Sequence, residues 1–427
     1  MHQGNSFTEE AAAIASRKGL TLVALTSRPE RESVFEANQA FLADWIMTGY
    51  PELTMADADG AVEAFSDRGF KIVAALATFE GYRVLMASLN QALDAPDSSP
   101  SSLMQCLNKF EMRHALADRG LSEVGCHRIE PGKRPPLDPR KRWFLKPVRG
   151  ASSFASFVLE SRDDLADLEQ IQDQMRADHR MRAIFMGQFG FLAEEYIDGP
   201  EFSFEIIVVD GVHPVCIHEK ARVEEHRRTT LEGMSISPPV SVGKDCLLEG
   251  AGFVAACLNA LDLRSGAFHV EAKYWLSRGR WEIIEINPRM GGSLINASVT
   301  TVTGVSNLEL WIDSLLARTE EERGRLRQRL DDLSQVKAIQ SGGSLRATVF
   351  LSKYGEKGRT VKSIRFSPGE RMPQVLKVHV SPGTALENSD RAICLLDALW
   401  QVEPGDMIRE VEALDRLARE HFEVDYQ

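Results

Sequence analysis

His269–Ser293 reads HVEAKYWLSRGRWEIIEINPRMGGS, and its two β-patterned runs flank a turn. We predict an antiparallel hairpin centred on Arg278, in which Glu271 lies opposite Glu285. Alternate residues of a strand share a face, so one face of the hairpin is polar and carries His269, Glu271, Lys273, Glu285 and Asn287. The other face packs into a core and carries Val270, Ala272, Tyr274, Ile284 and Ile286.

This register predicts a cation site between the two strands. Facing carboxylates roughly 5 Å apart at the Cβ level destabilise a sheet unless a cation or a proton lies between them. The same register places His269 opposite Asn287, whose side-chain oxygen adds a third donor. Oxygen-only clusters suit Mg²⁺, which is usually held by one or two carboxylates plus substrate phosphates. The alternative is a carboxylate pair that shares a proton or turns into water.

Composition favours small-molecule chemistry. The chain has 427 residues, which suggests roughly three domains. Its net charge of -12 and pI near 5.5 argue against a nucleic-acid partner and against a polybasic membrane anchor. No apolar run is long enough to span a membrane, and MHQGNSFTEE lacks the features of a signal peptide, so we expect a cytoplasmic protein. The six cysteines show no CxxC spacing, which predicts reduced thiols rather than a zinc site or disulfides.

The first hundred residues alternate between helical and strand patterns, which predicts parallel α/β packing. The predicted elements are a helix over Thr8–Lys18, strands over Leu20–Thr26 and Lys71–Ala77, and a helix over Tyr82–Leu93. The opening HQGNS is typical of a loop that follows a strand, so we expect a first strand to be absent or to lie upstream of the start. Asp94–Ser102 is predicted to be a linker, followed by one helix over Met104–Arg119.

From Trp143 onward the pattern changes to strands and long hairpins, with one turn at Asp210-Gly211. Further helices are predicted over Asp163–Arg182, Cys246–Leu261, Asn307–Arg329 and Gly405–His421. The segment from about Gln335 onward, with the strands LRATVFLS and VLKVHV, is predicted to form a separate C-terminal unit.

Three segments in order, FLKPVRGASSFAS, FLAEEYIDGPEFSFE and the hairpin ending in EINPRMGG, resemble the ATP-grasp superfamily. Members of that superfamily hold ATP between two α+β subdomains and join a carboxylate to an amine through an acyl phosphate. The resemblance covers about Leu20–Leu316 and implies a multidomain α/β and α+β chain with the ATP-grasp fold. The implied domains are a Rossmann-like parallel α/β domain over 1–103, a small lid subdomain over 104–192, a central subdomain with the metal site over 193–330, and a mixed C-terminal subdomain over 331–427.

The resemblance also implies roles for the hairpin. Glu271, Glu285 and Asn287 match the family's ligands for Mg²⁺, with Mn²⁺ as a possible substitute. Arg289 matches the arginine that contacts the transferred phosphate and the developing tetrahedral centre, and a guanidinium suits that role because its fork binds oxyanions bidentately.

Two further segments match the nucleotide site. Glu194 would accept from the adenine amino group, the backbone at Glu195 and Ile197 would pair with the adenine edge, and Glu201 would bind the ribose hydroxyls. On the phosphate side the matching residues are Lys109, Lys146, Ser152, Ser153 and Lys220. The loop Gly150–Ser153 departs from the family pattern, because it has one glycine where relatives often have two or three. A solvated strand edge is the alternative for either glutamate alone, and a solvated lysine is the alternative for Lys109.

The implied reaction transfers the γ-phosphoryl group to a substrate carboxylate, after which an amine displaces phosphate. The amine must be neutral, and His269, His226 or Glu232 is a candidate base, although each could equally be structural. In the loop Lys220–Val240, Glu232 or Glu224 could meet an α-ammonium group. Arg289 and Ser293 would face a carboxylate.

EINPRMGG, FHVE and the length of the C-terminal region look most like the L-amino-acid ligases, which make dipeptides. Two alternatives remain: a ligase of the same fold that uses another carboxylate or a natural-product amine, and an ATP-binding regulatory scaffold. Relatives often dimerise, so a homodimer is also expected.

Overall fold

The computed structural model describes residues 1–4, 7–130, 133, 135–179, 181–226, 228–367, 369, 371–387 and 393–427. The side chains of residues 162, 163 and 226 also lie outside the described part, and this includes the candidate base His226. Within the described ranges, no helix combines the length and the apolar composition that a membrane crossing needs.

The helices alternate with strands up to Asp67 and then occur between runs of consecutive strands. The α-helices are α1 Thr8–Arg17, α2 Glu32–Gln39, α3 Met55–Asp67, α4 Arg83–Ala92, α5 Pro100–Leu107, α6 Lys109–Ala117, α7 Leu168–Ala177, α8 Arg182–Phe185, α9 Lys244–Ala260, α10 Ile295–Thr303, α11 Asn307–Leu316, α12 Glu320–Leu333, α13 Gln335–Ser341 and α14 Met407–His421. Three short 3₁₀ helices cover Glu80–Tyr82, Arg162–Leu165 and Pro404–Asp406.

Among the described residues, the strands form four sheets. They are β1 Val23–Thr26, β2 Asp44–Met47, β3 Cys126–Ile129, β4 Trp143–Pro147, β5 Phe157–Leu159, β6 Phe191–Glu195, β7 Glu201–Val209, β8 Val212–His226, β9 Thr229–Ser237, β10 Ser265–Trp275, β11 Arg280–Asn287, β12 Ala347–Tyr354, β13 Val361–Phe366, β14 Val375–Val378, β15 Cys394–Val402 and β16 Phe422–Tyr426.

The largest sheet has eight strands in the order β11-β10-β7-β8-β9-β12-β15-β14, and a four-stranded sheet has the order β3-β6-β4-β5. The predicted hairpin turn at Asp210-Gly211 is confirmed between β7 and β8. Because β12 pairs with β9, the C-terminal strands β12, β14 and β15 continue the same sheet as the central hairpin. Apolar clusters cover both faces of this sheet, one with α5, α6 and α9 and the other with α10, α11 and α12.

The predicted parallel packing of the N-terminal region is confirmed by β1, which pairs with β2 in parallel. The strand predicted over Lys71–Ala77 is wrong, since these residues have no regular secondary structure. Side chains take the place of a strand partner there: Ala75 N–H donates to Asn90 Oδ1 at 2.7 Å, and Asn90 Nδ2 donates back to Ala75 O at 3.1 Å. The backbone N–H and carbonyl groups of Ala75 are thereby hydrogen-bonded without a neighbouring strand.

Two long helices of the prediction are each divided by a capping residue. Asn108 accepts from the backbone N–H groups of Phe110 and Glu111, so α6 begins afresh at Lys109. Thr319 forms a capping box with Glu322, which ends the predicted helix over Asn307–Arg329 and starts α12. The predicted linker also ends earlier than expected, because Ser99 caps α5.

The hairpin of β10 and β11 has the predicted register near the acids and a bulge beyond them. Glu271 pairs with Glu285 and His269 with Asn287, as predicted. The register then shifts after Glu271, so Ala272 pairs with Ile283 rather than with Ile284. The bulge inserts one extra residue into β11. The β11 residues that precede Glu285 therefore point to the face opposite to the predicted one. The prediction for Ile284 is therefore wrong: Ile283 is in the core, and Ile284 lines a cavity.

Candidate active site

A cavity of about 400 Å³ opens between the four-stranded and the eight-stranded sheets. We call it the inter-sheet cavity. It collects predicted site residues from five separate segments of the chain. Those that line it are Lys109, Lys146, Ser152, Ser153, Glu194, Glu195, Ile197, Glu201, Lys220, His269, Glu271, Glu285, Arg289 and Ser293.

The facing carboxylates are neutralised by two lysines. Lys220 Nζ lies 2.8 Å from Glu271 Oε2, and Lys109 Nζ lies 2.9 Å from Glu285 Oε2. Burial favours the neutral form of both carboxyls, but the lysines outweigh it, so the pKa of each is lowered. Both groups are therefore ionised at neutral pH.

Lys220 also gathers a trio of acids. Its Nζ lies 2.5 Å from Glu201, 2.7 Å from Glu232 and 2.8 Å from Glu271. One carboxylate oxygen from each acid lies within 4.8 Å of the others, a spacing that could hold a metal ion. Burial raises the pKa of Glu232, and its acidic neighbours add to that, although Lys220 opposes the rise.

Asn287 supports the acids from behind. It is 3% exposed, and its Nδ2 donates to Glu285 Oε1 at 2.9 Å. The atoms that Glu271 and Glu285 offer to a metal ion are thus carboxylate oxygens, and cationic side chains lie nearby. That chemistry fits Mg²⁺, because a hard cation prefers oxygen ligands and can replace the lysines as the counter-charge.

His269 holds a proton rather than offering a lone pair. Its Nδ1 is hydrogen-bonded to Glu205 Oε1, and its Nε2 lies 3.2 Å from Glu271 Oε1. Burial disfavours the imidazolium, but Glu205 and Glu271 outweigh burial and raise the pKa of His269 to about 10. Both ring nitrogens therefore donate. His269 is a cation, and its hydrogen bond orients the carboxylate of Glu271.

Lys146 is fixed by the segment predicted to bind adenine. Its Nζ lies 2.6 Å from Glu194 Oε2 and donates to Ile284 O at 3.0 Å. The other oxygen of Glu194 accepts from Arg113 Nε at 2.8 Å. Burial favours the neutral acid, but Arg113 and Lys146 lower the pKa of Glu194 to about 2. In this structure Glu194 is a counter-ion that positions Lys146.

The residues after Glu194 are anchored by basic side chains. The side chain of Glu195 pairs with Lys141 and with Arg278, each at 2.7 Å. The carbonyl oxygen of Ile197 accepts from Lys273 Nζ at 3.2 Å. These contacts hold the strand end against the hairpin turn.

Arg289 is paired across the chain with an N-terminal acid. Its Nε lies 3.3 Å from Glu80 Oε2 and its NH1 donates to Met290 O at 3.0 Å. Glu80 is buried, which raises the pKa of its carboxyl, while Arg289 and Lys109 oppose that rise. Glu80 therefore joins the N-terminal region to the reactive end of the hairpin.

The loop predicted to cover phosphates uses serines in a conformation that glycine favours. Ser152 and Ser153 have φ values of 56° and 50°. An L-residue in the left-handed region costs roughly 1–2 kcal/mol. The two serines thus adopt a backbone conformation for which relatives use further glycines. They do so at some cost in strain, and they retain hydroxyl groups that glycine lacks.

Gly291 allows the loop after the hairpin to pass close to the sheet. A Cβ there would lie 2.3 Å from Ile295 Cγ2 and 2.8 Å from Glu205 Oε1. The Gly291 N–H donates to Glu205 Oε2 at 3.0 Å. Glu205 therefore fixes both His269 and the loop that carries Arg289.

Sequence reasoning missed Arg113, Glu205 and Glu80. A signal existed for Glu205, because it is the one ionisable residue between the apolar positions of FSFEIIVV, and such residues are seldom buried without a partner. Arg113 lies on a helix with ordinary amphipathic spacing, so only its tertiary partners reveal it.

Part of the chain matches a known protein family. Residues 141–297 match the ATP-grasp domain family. An uncharacterized protein of Sinorhizobium fredii, y4rH, is 24% identical over 293 residues, which is 64% of this chain and 56% of that protein. The match thus spans about half the length of that relative.

Solved structures share the fold at low sequence identity. An L-amino acid ligase from Bacillus licheniformis superposes with a TM-score of 0.75 at 20% identity, covering 98% of this chain and 96% of that one. The biotin carboxylase domain of a 2-oxoglutarate carboxylase from Hydrogenobacter thermophilus, in complex with MgADP and bicarbonate, gives a TM-score of 0.66 at 13% identity. That match covers 99% of this chain and 90% of the carboxylase domain. Both superpositions extend over nearly the whole chain.

Proposed function

We propose that this protein, which has the ATP-grasp fold, is an ATP-dependent, ADP-forming ligase that joins two L-amino acids through an acyl phosphate. One observation carries the proposal: a single cavity brings together phosphate-side lysines, facing carboxylates and Arg289. The likeness to an L-amino acid ligase over nearly the whole chain supports amino acids as substrates.

ATP would lie between the two sheets. Glu201 would bind the ribose, and Lys109 and Lys146 would contact the phosphates; all three line the inter-sheet cavity. The backbone N–H of Glu195 donates to Gly125 O at 2.8 Å, so an adenine contact at this residue falls to its carbonyl oxygen. Ser152 and Ser153 would close over the phosphates with hydroxyl and N–H groups.

Glu271 and Glu285 would hold Mg²⁺, with Asn287 orienting Glu285, and Mn²⁺ is a possible substitute. When bound, the metal supplies positive charge to the phosphate oxygens. Lys109 and Lys220 now neutralise these acids, so metal binding would release the lysines toward the phosphates.

Arg289 would act on the reacting groups themselves. Its guanidinium can hold the transferred phosphoryl group and the oxyanion of the tetrahedral intermediate, where charge develops. Glu80 and the Met290 carbonyl hold the side chain in place. Fixed donors of this kind need no reorganisation as the reaction proceeds.

A second candidate is a ligase of the same fold acting on another acid. The carboxylase neighbour, whose structure contains bicarbonate, favours it. The reaction class is then unchanged, and only the acid differs.

The test is phosphate release from ATP and Mg²⁺ over a matrix of paired L-amino acids, with mass spectrometry on each positive pair. We expect release that needs both amino acids and a product whose mass is their sum minus water. Release with bicarbonate or another acid, but with no amino-acid pair, would favour the second candidate. ATP binding without turnover on any acid would contradict both and would favour a regulatory scaffold.

The homodimer and the cytoplasmic location stay predictions. The carboxylase neighbour is described as a dimer, which supports the first. Light scattering of the purified chain would check it.

A further inference from the structure

A larger cavity of about 980 Å³ adjoins the inter-sheet cavity. We call it the terminal cavity, because N-terminal residues such as Phe7 and Phe79 and C-terminal residues such as Val380 and Leu386 line it. The two cavities share four lining residues: Ser293, Ser352, Tyr354 and Cys394. A molecule bound in the terminal cavity would therefore contact residues that also line the cavity in which Arg289 lies.

A buried carboxylate, Asp397, lies at this junction. It is 1% exposed and receives four polar contacts. Ser293 Oγ donates to its Oδ2, Ser352 Oγ donates to its Oδ1 at 2.7 Å, and Cys394 Sγ donates to its Oδ1 at 3.2 Å. The fourth is His379 Nε2, 2.7 Å from Oδ2. Burial alone would raise the pKa of Asp397, but the bonds from His379, Ser293 and Ser352 lower it.

Ionised Asp397 decides the tautomer of His379. A carboxylate has only acceptor lone pairs, so His379 must donate from Nε2. The neutral ring then carries its lone pair on Nδ1, the atom that can take a proton. His379 lines the terminal cavity and is 27% exposed in its side chain, so a ligand there can reach it.

Other candidate bases are less suited. His269 is bonded at both nitrogens, and its pKa of about 10 keeps it protonated. Glu232 is held by Lys220 at 2.7 Å. Ser293 has a φ of 52°, a strained conformation that its bond to Asp397 stabilises.

We propose that the terminal cavity binds the amine substrate and that His379, positioned by Asp397, is the base that deprotonates this amine. The inference rests on the proposed function. The ammonium group gives one proton to His379 Nδ1. The neutral nitrogen forms the C–N bond with the acyl carbon while the carbon–oxygen bond to phosphate breaks. The second proton of the nitrogen leaves with the phosphate.

The walls of the terminal cavity suit a zwitterion with an apolar portion. Both signs of charge occur there beside apolar side chains. Besides His379, Asp397 and Cys394, the titratable groups that the described residues place on the walls are His2, Glu30, Arg31, Tyr354, Lys377 and Glu387. An amino acid presents charges of both signs, and the walls carry groups that complement each.

The test separates the two half-reactions in the full-length protein. Hydroxylamine is neutral near pH 7 and traps an acyl phosphate as a hydroxamate without needing a base. We expect His379→Gln to form hydroxamate at close to the wild-type rate but to lose amide formation about 100-fold or more, as for other general bases. The remaining amide formation should rise with pH as free amine accumulates.

His213→Gln is the matched control. His213 also lies near a carboxylate, with Nδ1 3.5 Å from Asp331, and it lines neither cavity. Asp397→Asn tests positioning: an asparagine amide can donate as well as accept, so it no longer fixes Nε2 of His379 as the donor, and amide formation should fall while hydroxamate formation stays close to the wild-type rate. Both half-reactions should be unchanged in the control.

Three outcomes would overturn the inference. Amide formation by His379→Gln within a few-fold of wild type would exclude a base at this position. An equal loss of hydroxamate would show that His379 acts before the amine step or only in folding. A zinc ion that is bound by His379, Cys394 and Asp397 and required for activity would assign the cluster to a metal instead. Wild-type protein that forms no hydroxamate with any acid would contradict the proposed function itself.

Discussion

The carboxylates of the inter-sheet cavity and of the terminal cavity are stabilised by different kinds of partner. In the inter-sheet cavity each of the facing acids has a cation beside it: Glu271 has Lys220 and Glu285 has Lys109. In the terminal cavity, Asp397 is held by neutral hydroxyls, a thiol and one imidazole. Pairs of full charges suit a site in which a metal ion replaces the lysines beside the acids and the lysines then bind phosphate. A carboxylate with neutral donors suits the positioning of one group.

The largest expected effect is on the exchangeable acids. Glu285→Gln removes half of the facing pair and a metal ligand. Loss of several kcal/mol of charge stabilisation corresponds to about a 1000-fold lower rate. Turnover measured as phosphate release at saturating Mg²⁺ checks this. Glu423→Gln, in an exposed ion pair, is the control. A wild-type rate in Glu285→Gln would remove Glu285 from the metal site.

Arg289→Ala should lower kcat about 100-fold to 1000-fold, the range seen when an oxyanion donor is removed. ATP affinity should change far less, because the contact strengthens only as charge develops. Steady-state kinetics with equilibrium nucleotide binding separates the two quantities, with Arg365→Ala as an exposed control. A loss confined to affinity would make Arg289 a ground-state ligand.

Lys220→Met tests the acid trio through stability. Without Lys220, three partly buried carboxylates face one another. Breaking a fully buried pair costs about 3–5 kcal/mol, and the partial exposure of these acids should bring the loss to the lower end of that range. Urea denaturation should show that loss, and added Mg²⁺ should restore more of it than in the wild-type protein. Lys337→Met, which breaks an exposed pair with Asp331, should cost about 1 kcal/mol or less. Equal losses in the two variants would contradict the role of Lys220.

His269 should give a smaller, pH-dependent effect. Its pKa is raised from 6.5 to about 10. The stabilisation is therefore complete below the unfolded value and is lost as pH rises toward 10, on the order of a few kcal/mol. Denaturation at several pH values between 6 and 10 should show a slope that His269→Asn lacks. An identical slope in both proteins would mean that His269 is not the group titrating.

Sequence could predict the facing acids of the inter-sheet cavity because they lie in one hairpin. Alternation in one hairpin places Glu271 opposite Glu285, and both strands are contiguous in the chain. The bulge that turns Ile284 toward the cavity leaves no sequence pattern that distinguishes it from regular pairing. Asn108 and Thr319 are ordinary capping residues, yet apolar periodicity masked the helix breaks that they make.

The terminal cavity could not be predicted in the same way. Asp397 and its partners His379, Ser352 and Ser293 come from segments separated by up to about a hundred residues. Only the pairing of β12 with β9 and β15 brings them to the hairpin. Tertiary structure is the information that the linear pattern lacks.

Oxygen transfer tests the central claim most directly. The acid substrate would carry ¹⁸O in its carboxylate, and the released phosphate would be examined by mass spectrometry. An acyl-phosphate ligase breaks the carbon–oxygen bond when the amine attacks, so we predict that one ¹⁸O atom appears in each phosphate released. Phosphate without ¹⁸O, formed while the acid keeps its label, would mean that ATP is hydrolysed by water and would contradict the account.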